Sequence, residues 1–252
     1  MNQEFYDDFS VRYDLWTSSD TYTLELINFY TDYFSKIKQK QTLVELGIGT
    51  GNIALEILKN TSHSIIGIDN AKEMLKQCHL KSKARDLDIS LTLLEEDITN
   101  LQLEELAHYI YLPYRTLCHF VSLDAKQKLF EIIFKNLEVG GSFLFDCDKP
   151  NLERMKVIHN KPQLIYTKDE VSIYQLSKFN FDSQSIHVSV IDANRKKESA
   201  NVHKYDFSWI EPEQMQSLLK EVGFRVVNVY GDTKKSLLEK DSLRQIYEVI
   251  KA

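Results

Sequence analysis

The chain has 252 residues, 43% hydrophobic and 27% charged, which is enough apolar material for one large folded domain and excludes a disordered chain. A formal net charge of −6 argues against a general nucleic-acid surface. The three cysteines, Cys78, Cys118 and Cys147, form no CxxC pair, so neither a disulfide framework nor a structural zinc site is expected.

Near the N-terminus, Leu24, Ile27, Tyr30, Phe34 and Ile37 recur every three or four residues, predicting a helix capped by Asp20; residues 1–40 are read as a helical cap. Thr42 to Leu46 is a short buried strand, followed by a glycine turn and a helix presenting Ile53, Ala54, Ile57 and Leu58. A second strand, Ser64 to Asp69, leads into a helix from Ala71 to about His79. Ile89 to Leu94 forms a third, and Tyr109 to Leu112 a fourth that stops at Pro113. Asp124 to Leu137 then reads as a helix that Gly140 and Gly141 end, ahead of strand Phe143 to Phe145. Residues 163–208 break this rhythm: Val171, Ile173, Gln175 and then Ile186, Val188, Val190 alternate with period two about turn residues Asp182 and Ser183, predicting an antiparallel β insertion. Helix Glu211 to Val222, stopped by Gly223, and strands Arg225 to Tyr230 and Gln245 to Ile250 complete the pattern. Strands alternating with helices imply an α/β fold with a mostly parallel sheet covered on both faces. No linker or repeat divides the chain, so residues 1–252 are expected to form a single domain.

Glycine is scarce, with eight in 252 residues against a usual share of roughly 7%. Three of them, Gly47, Gly49 and Gly51, fall within five positions after the first strand, where the backbone must turn sharply or let a ligand approach. Such a turn offers N–H groups to an anionic ligand group, and a carboxylate at the end of the second strand can accept both hydroxyl protons of a ribose. Asp69 and Asp97 end the next two strands. A dinucleotide fingerprint needs Gly or Ala where Asn52 stands.

Glu45-Leu46-Gly47-Ile48-Gly49-Thr50-Gly51-Asn52 resembles the first motif of class I S-adenosylmethionine-dependent methyltransferases, and Gly67-Ile68-Asp69 the second. Glu96-Asp97-Ile98 resembles the third, Leu137 to Ser142 the turn into the fifth strand, and Glu221-Val222-Gly223-Phe224 the approach to the sixth. The resemblance implies a Rossmann-like, mostly parallel seven-stranded sheet and S-adenosylmethionine as cofactor. It implies that Glu45, Gly47, Gly49 and Gly51 hold the methionine part, that Asp69 binds the ribose, and that Asp97 and the Ile98 backbone address the adenine. Glu45 as an organiser of the turn and Asp97 as a helix cap are the structural alternatives. One departure is His108, where relatives often carry an acid near the start of the fourth strand.

Methyl transfer is an in-line displacement that needs alignment, with a base if the nucleophile arrives protonated, and no metal. Leu117-Cys118-His119-Phe120 and the Tyr13-Asp14 pair resemble segments of small-molecule N-methyltransferases, including those acting on amino groups of nucleotide-linked sugars. In that reading Tyr13 and His119 are the catalytic candidates, His119 accepting a proton at an ordinary pKa near 6.5, and Tyr22 closes over the cofactor. Each residue has an equally simple packing role. Arg115 binds a substrate carboxylate or phosphate, or makes a structural salt bridge. A nucleophilic role for Cys118 lacks an arranged base.

The expected function is therefore S-adenosylmethionine-dependent methylation of a small molecule, at an amine in preference to a hydroxyl. The rival is a noncatalytic cofactor-binding protein of the same fold, suggested by His108. The insertion is expected to shape the acceptor pocket or a homodimer contact. No run of about 18 apolar residues occurs and the opening MNQEFYDDF lacks a signal-peptide pattern, so a cytoplasmic protein without membrane or nucleic-acid partners is expected.

Overall fold

Uninterrupted apolar runs bounded by glycine or an acid become the central strands of a parallel sheet, because both faces of such a sheet are covered. The computed structural model describes residues 3–18 and 21–252. Helices α1 (Gln3–Ser18) and α2 (Thr21–Ser35) precede β1 (Thr42–Leu46), α3 (Asn52–Asn60), β2 (Ser64–Asp69) and α4 (Lys72–Lys83). Next come β3 (Leu91–Glu95), β4 (Ala107–Leu112), α5 (Leu123–Asn136), β5 (Leu137–Asp148) and α6 (Leu152–Ile158). Strands β6 (Pro162–Lys168), β7 (Val171–Asn180), β8 (Ser185–Asn194) and β9 (Ser199–Ser208) lead to α7 (Pro212–Val222), β10 (Phe224–Tyr230) and β11 (Arg244–Lys251).

The seven-stranded sheet has the order β10-β11-β5-β4-β1-β2-β3, and only β11 runs against the rest. Helices α2, α3 and α4 bury Leu26, Phe34, Ile57 and Leu75 on one face, with Leu43, Ile65 and Tyr111 of the sheet. On the other face α5 and α7 bury Phe130, Ile133, Met215 and Leu219 against Val44, Ile110 and Phe143. Ends are chemically marked: Ser122 accepts the Ala125 N–H at the start of α5, a Glu211/Gln214 capping box with Pro212 starts α7, and Gly223 at φ +105° stops it.

Two features depart from the sequence expectation. Gly140 and Gly141 lie inside β5 instead of ending the preceding helix: α5 stops at Asn136 and the strand begins at once. The register shift between Ala107/Leu137 and Tyr109/Ser142 absorbs the extra residues as a bulge, which Gly140 permits at φ +80°. The N-terminal cap holds two helices, and Asp20 lies outside the described residues. The expected antiparallel insertion is present as a four-stranded sheet, β6-β7-β8-β9, preceded by the short helix α6.

That second sheet meets α1, where Phe5 and Phe9 pack on Ile173, Val188, Val190 and Tyr205 and Arg12 pairs with Asp192 at 3.2 Å. The turn Thr116–His119 after β4 lies against β9, with Ser208 donating to the Cys118 carbonyl at 2.8 Å. Lys126, 1% exposed, donates to Ser208 Oγ and the Phe120 carbonyl from beneath.

Candidate active site

Strand order reverses between β4 and β1, and in open parallel sheets ligands bind beyond the carboxyl ends at such a switch point. A cavity opens there, lined by the turn after β1, the end of β2, the turn after β4 and the underside of α1. Gly47 and Ile48 N–H both reach the Ile68 carbonyl, at 2.7 and 3.1 Å, tying the β1 turn to β2. Gly47 sits at φ +69°, and a Cβ there would stand 2.7 Å from Thr116 Cγ2. Glycine thus lets the two turns that line the cavity approach each other. Gly49 also lines it, whereas Gly51 packs on Cys78 behind it.

Two buried carboxylates face this end. Glu45, 2% exposed, accepts the Tyr111 hydroxyl at 2.6 Å. Burial pushes its pKa up to about 8; the tyrosine hydrogen bond opposes this and the nearby Asp69 charge adds to it. Asp69 accepts the N–H of Gly49 and of Ala71, each at 2.9 Å. Burial raises it to about 6 against those hydrogen bonds. Each carboxylate oxygen keeps acceptor capacity beyond these partners. Asp97 does not line the cavity: it accepts the Thr99 N–H at 2.9 Å and caps the turn that begins at the buried Ile98. It adjoins the cavity through Asn70, which hydrogen-bonds it.

Helix α1 roofs the cavity. Asp14 accepts from Thr50 Oγ1 at 2.7 Å, Asn52 Nδ2 at 3.0 Å and Lys81 Nζ at 2.9 Å, joining α1 to the glycine turn and to α4. Asp7 accepts the Glu73 N–H at 2.8 Å and so caps α4, whose own N-cap, Ala71, has no side chain able to do so. Tyr6 and Tyr13, two helical turns apart, present their rings to the cavity.

The far end is lined by Pro113, Tyr114, Thr116 and His119. Among the described residues no lysine or arginine lines the cavity anywhere. His119 Nε2 lies 2.7 Å from the Tyr6 hydroxyl, and its ring packs against Tyr205 and Phe207. Burial pushes its pKa down to about 3, against a hydrogen bond to the Asp206 backbone that favours the protonated ring. The expectation of a base with an ordinary pKa is thereby corrected. Arg115 stands just outside, paired with Asp148 at 3.5 Å beside Tyr114. Tyr22 does not close over the cavity: its hydroxyl donates to the buried Asp146 at 3.3 Å and the Arg244 guanidinium covers its ring at 3.8 Å. His108 sits at the opposite end of the strands, as the second residue of β4, paired with Glu138 at 3.1 Å.

The structure thus gathers Tyr13, Glu45, Gly47, Gly49, Asp69 and His119 around one cavity and leaves Tyr22, Gly51, Asp97, Ile98 and Arg115 outside its lining. Sequence reasoning missed Tyr6, Asp14, Thr50 and Asn52. The seven-residue spacing of Tyr6 and Tyr13, one helix face, was the available signal. The residues fit S-adenosylmethionine: the carboxylates of Glu45 and Asp69 suit its ribose diol and its cationic groups, and the Gly47 to Gly49 backbone leaves room for close approach.

Residues 43–141 match the family model described as a methyltransferase domain. The chain is 31% identical over 124 residues to a carboxy-S-adenosyl-L-methionine synthase of Vibrio parahaemolyticus, covering 46% of this chain and about half, 49%, of that relative. A second synthase of that name, from Nautilia profundicola, is 24% identical over 87% of this chain and 85% of its own length. Among solved structures, the CcbJ methyltransferase of Streptomyces caelestis superposes with a TM-score of 0.88 at 18% identity, over 100% of this chain and 99% of the other. An S-adenosylmethionine-dependent methyltransferase of Clostridium acetobutylicum gives 0.81 at 20% identity over 97% and 98%. A sugar N-methyltransferase from a Streptoalloteichus species gives 0.70 at 11% identity over 95% and 92%. Residues 43–141 thus resemble a methyltransferase domain, and the chain as a whole has the fold seen in S-adenosylmethionine-dependent methyltransferases.

Proposed function

We propose that this chain transfers a methyl group from S-adenosylmethionine to an amine of a small molecule. One observation carries the reading: a single cavity under α1 joins an end with two buried carboxylates to an end lined by uncharged tyrosines, a threonine and a histidine. S-adenosylmethionine supplies the methyl group on a sulfonium. Glu45 and Asp69 hold its ammonium and ribose side, with the Gly47 to Gly49 backbone, and Asp97 and Ile98 flank the adenine end. Tyr13 and His119 meet the acceptor.

Alignment is the main contribution such a site makes to an in-line displacement. His119, held neutral by burial, is a poor base at neutral pH. The acceptor nitrogen is therefore uncharged when it attacks, and surroundings poor in water favour that form. The likeness to a sugar N-methyltransferase supports an amine. Arg115, held by Asp148, is placed to meet an anionic group of an acceptor that extends beyond the cavity.

The test is methyl transfer from labelled S-adenosylmethionine to matched amines, phenols and carboxylic acids, with products identified by mass. Transfer to amines is expected. Transfer to oxygen alone, or tight cofactor binding without transfer, refutes the reading, the latter in favour of a noncatalytic binding protein. A cofactor that itself gains a carboxyl group would align the chain with the synthases.

A further inference from the structure

Tyr6 and His119 are 113 residues apart, yet the phenol oxygen of one stands 2.7 Å from Nε2 of the other, with the rings edge to face. Both line the cavity. The other side of the imidazole is engaged by the Asp206 backbone on β9, a bond that favours the protonated ring and is therefore made to the carbonyl. A carbonyl only accepts, so in the neutral ring the proton lies toward Asp206 and Nε2 carries the lone pair. Tyr6 must then be the donor. A phenol has one proton and lone pairs to spare, and with the proton committed to His119 its oxygen can only accept from the cavity.

We propose that Tyr6 is a catalytic residue of this site: its oxygen, fixed as an acceptor by His119, takes an N–H of the neutral amine and aims the nitrogen lone pair at the methyl group. This rests on the amine reading. His119 becomes a positioning residue that acts through Tyr6. The N–C bond forms as the C–S bond breaks, its electron pair going to sulfur, and the new ammonium loses its proton to solvent after release. Besides His119, the titratable neighbours of Tyr6 include Tyr13, Tyr205, Asp69 and Arg115, and burial holds its hydroxyl protonated far above neutral pH.

The chemistry sets the acceptor class. Primary and secondary amines carry the N–H that Tyr6 needs; a tertiary amine does not. Methylation accordingly stops at the tertiary amine.

The experiment compares wild type, Tyr6→Phe, His119→Gln and His119→Leu on one amine scaffold in its primary, secondary and tertiary forms. Calorimetry measures S-adenosylhomocysteine affinity, and acceptor affinity in the S-adenosylhomocysteine complex. Wild type is expected to methylate the first two forms and spare the third. Tyr6→Phe should lower kcat/KM about ten- to hundredfold and weaken acceptor binding about tenfold, with S-adenosylhomocysteine affinity unchanged. His119→Gln, which keeps an acceptor for the Tyr6 proton, should lose clearly less kcat/KM than His119→Leu, which should fall as Tyr6→Phe does. If Tyr6→Phe fails to bind S-adenosylhomocysteine, the Gln and Leu pair decides. A Tyr6→Phe protein of wild-type rate, equal loss in both His119 variants, or rapid methylation of the tertiary amine overturns the proposal alone. Failure of wild type to methylate any amine overturns the amine reading as well, and is seen before any variant is compared.

Discussion

Asp14→Ala should loosen the roof of the cavity without unfolding the protein. The carboxylate accepts three hydrogen bonds, from Thr50, Asn52 and Lys81, and all three join α1 to the cofactor end of the site. Two neutral donors at about 0.5–1.5 kcal/mol each, plus an ion pair whose Asp14 side chain is 46% exposed and so adds little, sum to about 1–3 kcal/mol. At about 1.4 kcal/mol per decade, that is roughly a five- to hundredfold shift toward the open helix. Stopped-flow dissociation of S-adenosylhomocysteine should accelerate by that factor, and hydrogen exchange of the α1 amides should quicken in parallel. Asp14→Asn, which keeps the oxygen that serves Thr50 and Asn52 and loses only the lysine pair, should change dissociation less than tenfold. Burial by itself would raise the Asp14 pKa, but its hydrogen bonds to Thr50, Lys81 and Asn52 outweigh it and hold the carboxyl below 3.8. The clasp is therefore present throughout neutral and mildly acidic pH, and is lost only as pH falls through that lowered value. An Asp14→Ala protein with wild-type dissociation and unchanged α1 exchange would show that the helix is held by its other contacts, the Phe5 and Phe9 packing with Asp7 and Arg12, and would refute the clasp.

Three other outcomes are expected. Asp69→Asn leaves a single oxygen for the Gly49 and Ala71 N–H groups, so one buried donor is stranded at about 1–3 kcal/mol; S-adenosylhomocysteine affinity should fall about tenfold or more by calorimetry. Gly47→Ala places a Cβ at φ +69° against Thr116, and the melting temperature should drop by several degrees, at about 2–4 °C per kcal/mol for a chain of this size. Glu45, raised to about 8 in the native state, stays protonated where the unfolded chain ionises near 4.5, so native stability should decline as pH rises from about 4.5 toward 8 and level beyond. Thermal melts across pH should show that slope in wild type and lose it in Glu45→Gln; equal slopes would mean that Glu45 is already ionised.

The parallel sheet and the glycine turn were legible because their physics is local. A strand buried on both faces must be an unbroken apolar run such as Leu43 to Leu46, and a left-handed backbone under a close neighbour admits only glycine at 47. Helix α1 hid for the opposite reason. It serves two surfaces, with Phe5 and Phe9 toward the second sheet and Tyr6 and Tyr13 toward the cavity, so no single apolar stripe marks it. Gly140 and Gly141 read as a helix stop because a glycine pair looks the same at a helix end and in a bulge; the register of β4 on β5 decides. The lowered pKa of His119 comes from Tyr6, Tyr205 and Phe207, which reach it from distant parts of the chain. Tyr22 is likewise settled by Asp146, 124 residues away.

The division of charge explains why one helix roofs both halves of the site. Both cavity carboxylates stand at the ends of β1 and β2, where a cationic cofactor group compensates their burial. The acids at the end of β5 are kept out of the cavity by other partners: Asp146 by Tyr22, Tyr30 and the Tyr114 N–H, Asp148 by Arg115 and Arg244. An amine at the far end therefore meets no carboxylate that would hold it as an ammonium. Helix α1 then imposes simultaneity. Asp7 and Asp14 fasten it to the cofactor half, Tyr6 and Tyr13 complete the acceptor half, and Arg12 ties it to the second sheet. A single stiff element cannot release one half while holding the other. If the proposed reading holds, release of α1 would open the cofactor and acceptor halves together, and the contacts of α1 would set that equilibrium.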